Sequence, residues 1–240
     1  MIVDEHIVGY INSMEIDLPD YLRELEEQAL KDEVPIIRKE AQTLLKFFLE
    51  MKQPKEILEV GAAVGFSSSF MSEYMPKDCR ITTIEKVEMR LVEAKKNLPN
   101  ARRAKDITLM MGEAMDALRM LNGEPQETEV TIFYPGENEV PLAKKYDFIF
   151  MDAAKAQYMN FLPEIMKLLA DGGLFITDNV LQEGSIAKSK YSITRRDRTI
   201  HVRMREYLYT LTHMPEFQTM ILPVGDGVAV SILKKEAAND

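Results

Sequence analysis

Apolar side chains recur with a helical period through roughly the first fifty residues, then switch to short runs alternating with helical stretches. Ile7, Tyr10, Ile11 and Met14 keep a spacing of three and four, and a Leu- and Glu-rich stretch follows Pro19. A third helix is predicted to begin near Pro35 and to run through Leu44, Leu45, Phe48 and Leu49. Glu56 to Val60 then reads as a strand ended by a glycine-containing turn, with Phe66 to Tyr74 helical behind it. The alternation continues with strand Arg80 to Ile84, helix Val87 to Leu98, strand Ile107 to Met111 and helix Glu113 to Leu121. Strand Tyr146 to Met151, helix Met159 to Leu169 and strand Gly173 to Thr177 follow. Strands and helices in strict alternation predict an α/β, mostly parallel, doubly wound sheet. After a helix from about Asp197 to His213, two β-like segments, Phe217 to Leu222 and Gly227 to Leu233, are joined by Pro223-Val224-Gly225-Asp226. So short a connection lets them pair as a C-terminal antiparallel hairpin. The polar stretch Asn122 to Ala143 is expected to be a surface insertion.

With 240 residues, 46% of them hydrophobic, the chain suits one large domain: N-terminal helices over 1–52 and the α/β core over 53–240. No run approaches the roughly 18 apolar residues of a membrane span, and MIVDEHIVGY lacks the basic and apolar regions of a signal peptide, so a cytoplasmic protein with no membrane partner is expected. The single cysteine, Cys79, lacks zinc-site spacing and reads as packing near a strand start. A net charge of −9 argues against indiscriminate nucleic-acid binding, but a local basic run stands out: Lys188, Lys190, Arg195, Arg196, Arg198, Arg203 and Arg205, opposed only by Asp197 and the upstream Glu183. Such a run is more often a solvated helix face than a binding surface.

The segment Glu59-Val60-Gly61-Ala62-Ala63-Val64-Gly65 falls at the carboxyl end of the first strand, where doubly wound sheets bind nucleotide-like ligands. It lacks the G-x-G-x-x-G spacing of a pyrophosphate site, and Glu59 would repel phosphate while suiting a cationic amino-acid moiety. That combination favours S-adenosylmethionine over NAD. Glu85 closes the second strand, where a carboxylate can accept both ribose hydroxyls, and Glu113-Ala114 at a third strand end is placed to line an adenine. Any one of these glycines or glutamates can simply serve a turn or face solvent; three strand ends in register favour the joint reading.

Asp152 follows the strand Tyr146 to Met151, and Asp178-Asn179 follows the strand ending at Thr177, on the same sheet edge as the glycine turn. Two carboxylates and an amide oxygen form a hard-oxygen set suited to Mg²⁺ or another octahedral cation. The plainer role for Asp152 alone is a helix cap. A cation on a hydroxyl lowers its pKa and holds it in line for attack on a sulfonium methyl, and Lys155 can serve the same oxygen as base or as charge stabiliser. Chelation favours an acceptor with vicinal oxygens, such as a catechol or the O5 and O4 of 5-hydroxyuracil.

These residues resemble the metal-dependent class I O-methyltransferases that include the catechol and caffeoyl-CoA enzymes. The likeness rests on Glu59 to Ser67, Ile84-Glu85, Met151-Asp152-Ala-Ala-Lys155 and Thr177-Asp178-Asn179-Val180, and spans nearly the whole chain. It implies a Rossmann-like methyltransferase fold and a homodimer, cofactor contacts from Ile37, Gly61, Ser67, Glu85, Glu113 and Asp152, and metal contacts from Asp152, Asp178 and Asn179. Within the family, Val34-Pro35-Ile36, Asp152 to Tyr158, Asp178 to Leu181 with Gly184, Arg195-Arg196-Asp197-Arg198 and Phe217-Gln218-Thr219 with Pro223 to Gly227 resemble most the bacterial branch acting on wobble 5-hydroxyuridine of tRNA. That resemblance implies contact with a tRNA anticodon stem-loop through Arg195, Arg196, Arg198, Arg203 and Arg205, which then border the Asp152 cleft. Two other readings stay open: methylation of a catechol-like small molecule, and a protein that holds the cofactor without turnover. Asp152, Asp178, Asn179 and Lys155 together count against the last.

Overall fold

The computed structural model describes residues 2–235. Its strands are β1 (Glu56–Val60), β2 (Arg80–Glu85), β3 (Ile107–Met111), β4 (Thr131–Phe133), β5 (Tyr146–Met151), β6 (Leu169–Thr177), β7 (Phe217–Leu222) and β8 (Val228–Leu233). They form one sheet in the order β4-β3-β2-β1-β5-β6-β8-β7. Pairing is parallel from β3 through β6, and β8 runs antiparallel to both β6 and β7, which is the expected hairpin edge. The helices are α1 (Glu5–Asn12), α2 (Asp20–Lys31), α3 (Lys39–Lys52), α4 (Phe66–Tyr74), α5 (Glu88–Asn97), α6 (Ala114–Leu121), α7 (Tyr158–Leu168) and α8 (Arg198–His213).

The two-residue strand period sorts the core into two layers. Ile57, Phe148, Phe150 and Ile176 face α3 and α4, while Leu58, Val60, Ile149, Met151 and Phe175 face α6, α7 and α8. Strands buried on both faces are largely apolar, as in Phe148 to Met151 of β5; β1 departs from this at the buried Glu59. Each apolar side chain contributes about 1.5–3 kcal/mol on full burial. Cys79 is buried at the start of β2, as a packing residue. Among the described residues no helix is long and apolar enough to cross a membrane.

The structure differs from expectation in four places, one of them β6, which begins at Leu169 rather than at Gly173. The 122–143 stretch is more than a surface insertion: Thr131–Phe133 adds an antiparallel edge strand to β3, and Asp116 fastens the stretch by accepting from the backbone of Glu127 and Thr128. The third helix starts at Lys39 rather than near Pro35: residues 34–38 carry no regular structure, and the Ile37 carbonyl is bound by the Gln42 side chain instead of by a helical N–H. Helix α1 forms, capped by the Asp4 carboxylate, but it buries none of its residues; Ile7, Tyr10, Ile11 and Met14 are all exposed.

Candidate active site

A cavity of about 1040 Å³ opens at the carboxyl edge of the parallel strands. The glycine turn after β1 forms its floor. Gly61 sits at φ 108°, and a Cβ there would lie 2.0 Å from the Asp152 carbonyl oxygen, so only glycine lets the turns after β1 and β5 abut. Ser67, in the first turn of α4, lines the same cavity. Residues 34–38 cover it from the side, which brings Ile37 onto the wall. That segment is tied down by Gln42, whose buried side-chain amide donates to the Ile37 carbonyl at 3.1 Å and to Glu26 at 2.8 Å.

The acidic residues expected to meet the cofactor divide in two. Glu85 lines the cavity but already accepts from the backbone N–H groups of Ala63, Lys86 and Val87, each at 2.8 Å. Three of a carboxylate's roughly four acceptor positions are thereby used, so a ribose can find one open position on Oε2 rather than a fully free bidentate group. Glu113 and Ala114 line the cavity at the start of α6, with Glu113 paired to Lys86. Glu59 corrects the sequence reading: its side chain is fully buried beneath the glycine turn, accepts from the hydroxyls of Ser68 and Thr83, and does not line the cavity. Burial pushes its pKa up, and with one oxygen held by the two hydroxyls it supports the loop from beneath.

Met151 and Thr177 are register partners in neighbouring parallel strands, so Asp152 and Asp178 leave the sheet side by side. Asn179 adopts φ 60°, a left-handed turn that asparagine tolerates, and its side-chain amide donates to Oδ1 of Asp152 at 2.8 Å. Burial raises the pKa of Asp152 and of Asp178, and the charge of Asp152 raises that of Asp178 further. Two carboxylates crowded out of water suit a hard divalent cation, with the amide oxygen of Asn179 as a third donor once that side chain turns from Asp152. Among the described residues no three His, Cys, Asp or Glu side chains gather as a metal centre.

Lys155 lines the cavity three residues after Asp152, with its ammonium 3.6 Å from Asp226. Asp226 was legible only as part of the turn between β7 and β8. Here it is buried, accepts from the Glu183 N–H and faces the catalytic edge. Glu183 in turn pairs with Arg38 at 3.0 Å, which joins the 34–38 segment to the turn after β6.

The basic run meets the expectation only in part. Ile200 is the residue of α8 that lines the cavity, and Arg203 borders it by donating to the carbonyl of Ala156, a lining residue, whereas Arg195, Arg196, Arg198 and Arg205 do not line it. Arg198, Arg203 and Arg205 donate to the carbonyls of Ile193, Ala156 and Ile186, two of them in short 3-10 turns and one in the loop that follows such a turn, where carbonyls lack helical partners. Arg195 and Arg196 are exposed and without a side-chain partner among the described residues.

A mostly parallel sheet with a C-terminal hairpin, a glycine turn and paired carboxylates at one edge define the class as a Rossmann-like methyltransferase. Residues 12–235 match the family model described as O-methyltransferase. The chain belongs to that family of S-adenosylmethionine-dependent O-methyltransferases. It is 28% identical over 142 residues to a catechol O-methyltransferase of Niastella koreensis, covering 59% of this chain and 57% of that protein. A solved Staphylococcus aureus structure assigned to the caffeoyl-CoA O-methyltransferases is similar at 29% identity and a TM-score of 0.75, over 95% of this chain and 98% of that one. A Bacillus cereus O-methyltransferase solved with S-adenosylhomocysteine shares the fold at 20% identity and a TM-score of 0.77, over 95% and 97% of the two chains.

Proposed function

We propose that the protein moves the methyl group of S-adenosylmethionine onto the 5-hydroxyl of wobble 5-hydroxyuridine in tRNA, with a divalent cation, Mg²⁺ or a similar hard ion, held by Asp152, Asp178 and Asn179. The observation that carries the reading is the paired exit of Asp152 and Asp178 beside Lys155 in one cavity with the glycine turn. When bound, the cation supplies charge that lowers the pKa of the acceptor hydroxyl and favours acceptors with two vicinal oxygens. The residues of the chain do the rest. Gly61, Ser67, Ile37 and Glu85 shape the cofactor end, and Lys155 stands at the acceptor end as proton acceptor or as a charge beside the ionised oxygen. The hydroxyl gives its proton to Lys155 where that amine is neutral, and to solvent where it is the ammonium; the oxygen–methyl bond forms as the sulfur–methyl bond breaks, and S-adenosylhomocysteine leaves.

The tRNA half of the proposal draws on the basic segment 188–205, which shares α8 with the cavity-lining Ile200, and on the free guanidinium groups of Arg195 and Arg196. A homodimer would set two such segments on one particle; sedimentation velocity of the protein measures that. One observation favours a second reading, a free catechol-like phenol as acceptor: three of the five arginines are spent on their own chain. Incubation with labelled S-adenosylmethionine, Mg²⁺ and either tRNA bearing 5-hydroxyuridine or a panel of catechols, followed by nucleoside mass spectrometry, separates the two. Turnover of catechol with none on tRNA rejects the tRNA acceptor.

A further inference from the structure

Arg38, Lys86, Arg90 and Lys155 are the cations lining the cavity. Three face a carboxylate: Arg38 meets Glu183, Lys86 meets Glu113 and Lys155 meets Asp226. Arg90 has no ion pair and no side-chain hydrogen bond among the described residues, although it is half-buried. A guanidinium drawn partly out of water without a partner gives up hydration with nothing in return. Its place in the chain is also unfavourable, since the first turn of α5 is the positive end of the helix dipole. The same face of α5 is turned to the cofactor turn: Ala94, one helical turn on, comes within 3.8 Å of where a Gly65 Cβ would stand.

We propose that Arg90 is the anion-recognition residue of this cavity, pairing with a small oxyanion carried by a ligand. Its fork of N–H donors matches a carboxylate or phosphate bidentately. On the reading of the cavity as a cofactor site, the source within reach of the glycine turn is the carboxylate of the methionine moiety. The acidic lining supplies partners for that moiety's ammonium and sulfonium, and Arg90 supplies the one for its anion. A phosphate on the methyl acceptor has the same chemistry and is the other source.

Calorimetry on Arg90→Gln and Arg90→Lys separates them, using S-adenosylhomocysteine and 5′-methylthioadenosine, which keeps the adenosine and thioether but lacks the amino-acid end. For a cofactor carboxylate, Arg90→Gln weakens S-adenosylhomocysteine about tenfold or more, leaves 5′-methylthioadenosine within about twofold, and Arg90→Lys recovers part of the loss. For an acceptor phosphate, both cofactor fragments bind as in the wild type, while KM rises for the monophosphate of 5-hydroxyuridine and stays unchanged for the nucleoside. Unchanged binding and kinetics for all four ligands, or equal loss of both cofactor fragments, overturns the proposal. Absence of S-adenosylhomocysteine binding to the wild type instead overturns the cofactor reading beneath it.

Discussion

The Lys155 ammonium lies 3.6 Å from the Asp226 carboxylate, joining the loop after β5 to the turn between β7 and β8. Gly227 makes the approach possible: at φ 90°, with Leu181 where a Cβ would stand, it lets the hairpin turn press on the turn after β6. Asp226→Asn keeps the shape and removes the charge that holds Lys155 in place. We expect kcat to fall about a hundredfold while S-adenosylhomocysteine affinity stays within about twofold, measured by steady-state kinetics and calorimetry. Equal losses in both would assign Asp226 to the fold instead.

Asp152 and Asp178 both have raised pKa values in the metal-free chain. An acid whose folded pKa exceeds its unfolded value is most favourable to the fold when protonated, so stability declines as pH rises out of the ordinary carboxylate range through the raised values. In chelator, the melting temperature should therefore drop between acidic and neutral pH, and Mg²⁺ should raise it more near neutral pH than in mild acid. A Mg²⁺ effect equal at the two pH values would contradict the carboxylate site. Asp178→Ala should abolish both the effect and turnover while sparing much of the cofactor affinity.

Gln42→Leu removes the donor that holds the Ile37 carbonyl and leaves Glu26 without its partner. The cofactor Kd is expected to rise about tenfold with kcat at saturation unchanged, and stability to fall by about 1–3 kcal/mol. Glu26→Gln, which retains an acceptor for Gln42, serves as the control. A kcat loss at saturating cofactor would refute a role confined to the cofactor wall.

Arg195→Ala with Arg196→Ala removes two free charges from the surface beside α8 without touching the cavity. If tRNA is the substrate, its KM rises and the salt slope of binding falls by about 0.7 to 0.9 for each phosphate no longer neutralised, whereas the 5-hydroxyuridine nucleoside is methylated as before. Filter binding over a salt series supplies the slope; an unchanged slope speaks for the small-molecule acceptor.

β1, β3, β5 and β7 occupy the residues the pattern predicts, because each is a short, largely apolar segment bounded by turn or loop residues. The same pattern placed Asp152, Asp178 and Asn179, since residues that follow parallel strands must emerge at one sheet edge. β4 escaped notice because three residues carry no period, and the exposure of α1 did because periodicity shows a face without showing what covers it. The orientation of the arginines depended on carbonyls of Ala156, Ile186 and Ile193, whose need for donors is set by loop geometry.

The sequence by itself determined the doubly wound sheet, the glycine turn and the place of Asp152, Asp178 and Asn179 at one sheet edge, because local periods and strand-end positions decide them. Only the tertiary structure decided that Glu59 lies beneath the turn, that Asp226 meets Lys155 and that Arg90 is left without a partner among the described residues. Those are relations between side chains far apart in the chain, fixed by how turns pack and by which buried charge finds its opposite.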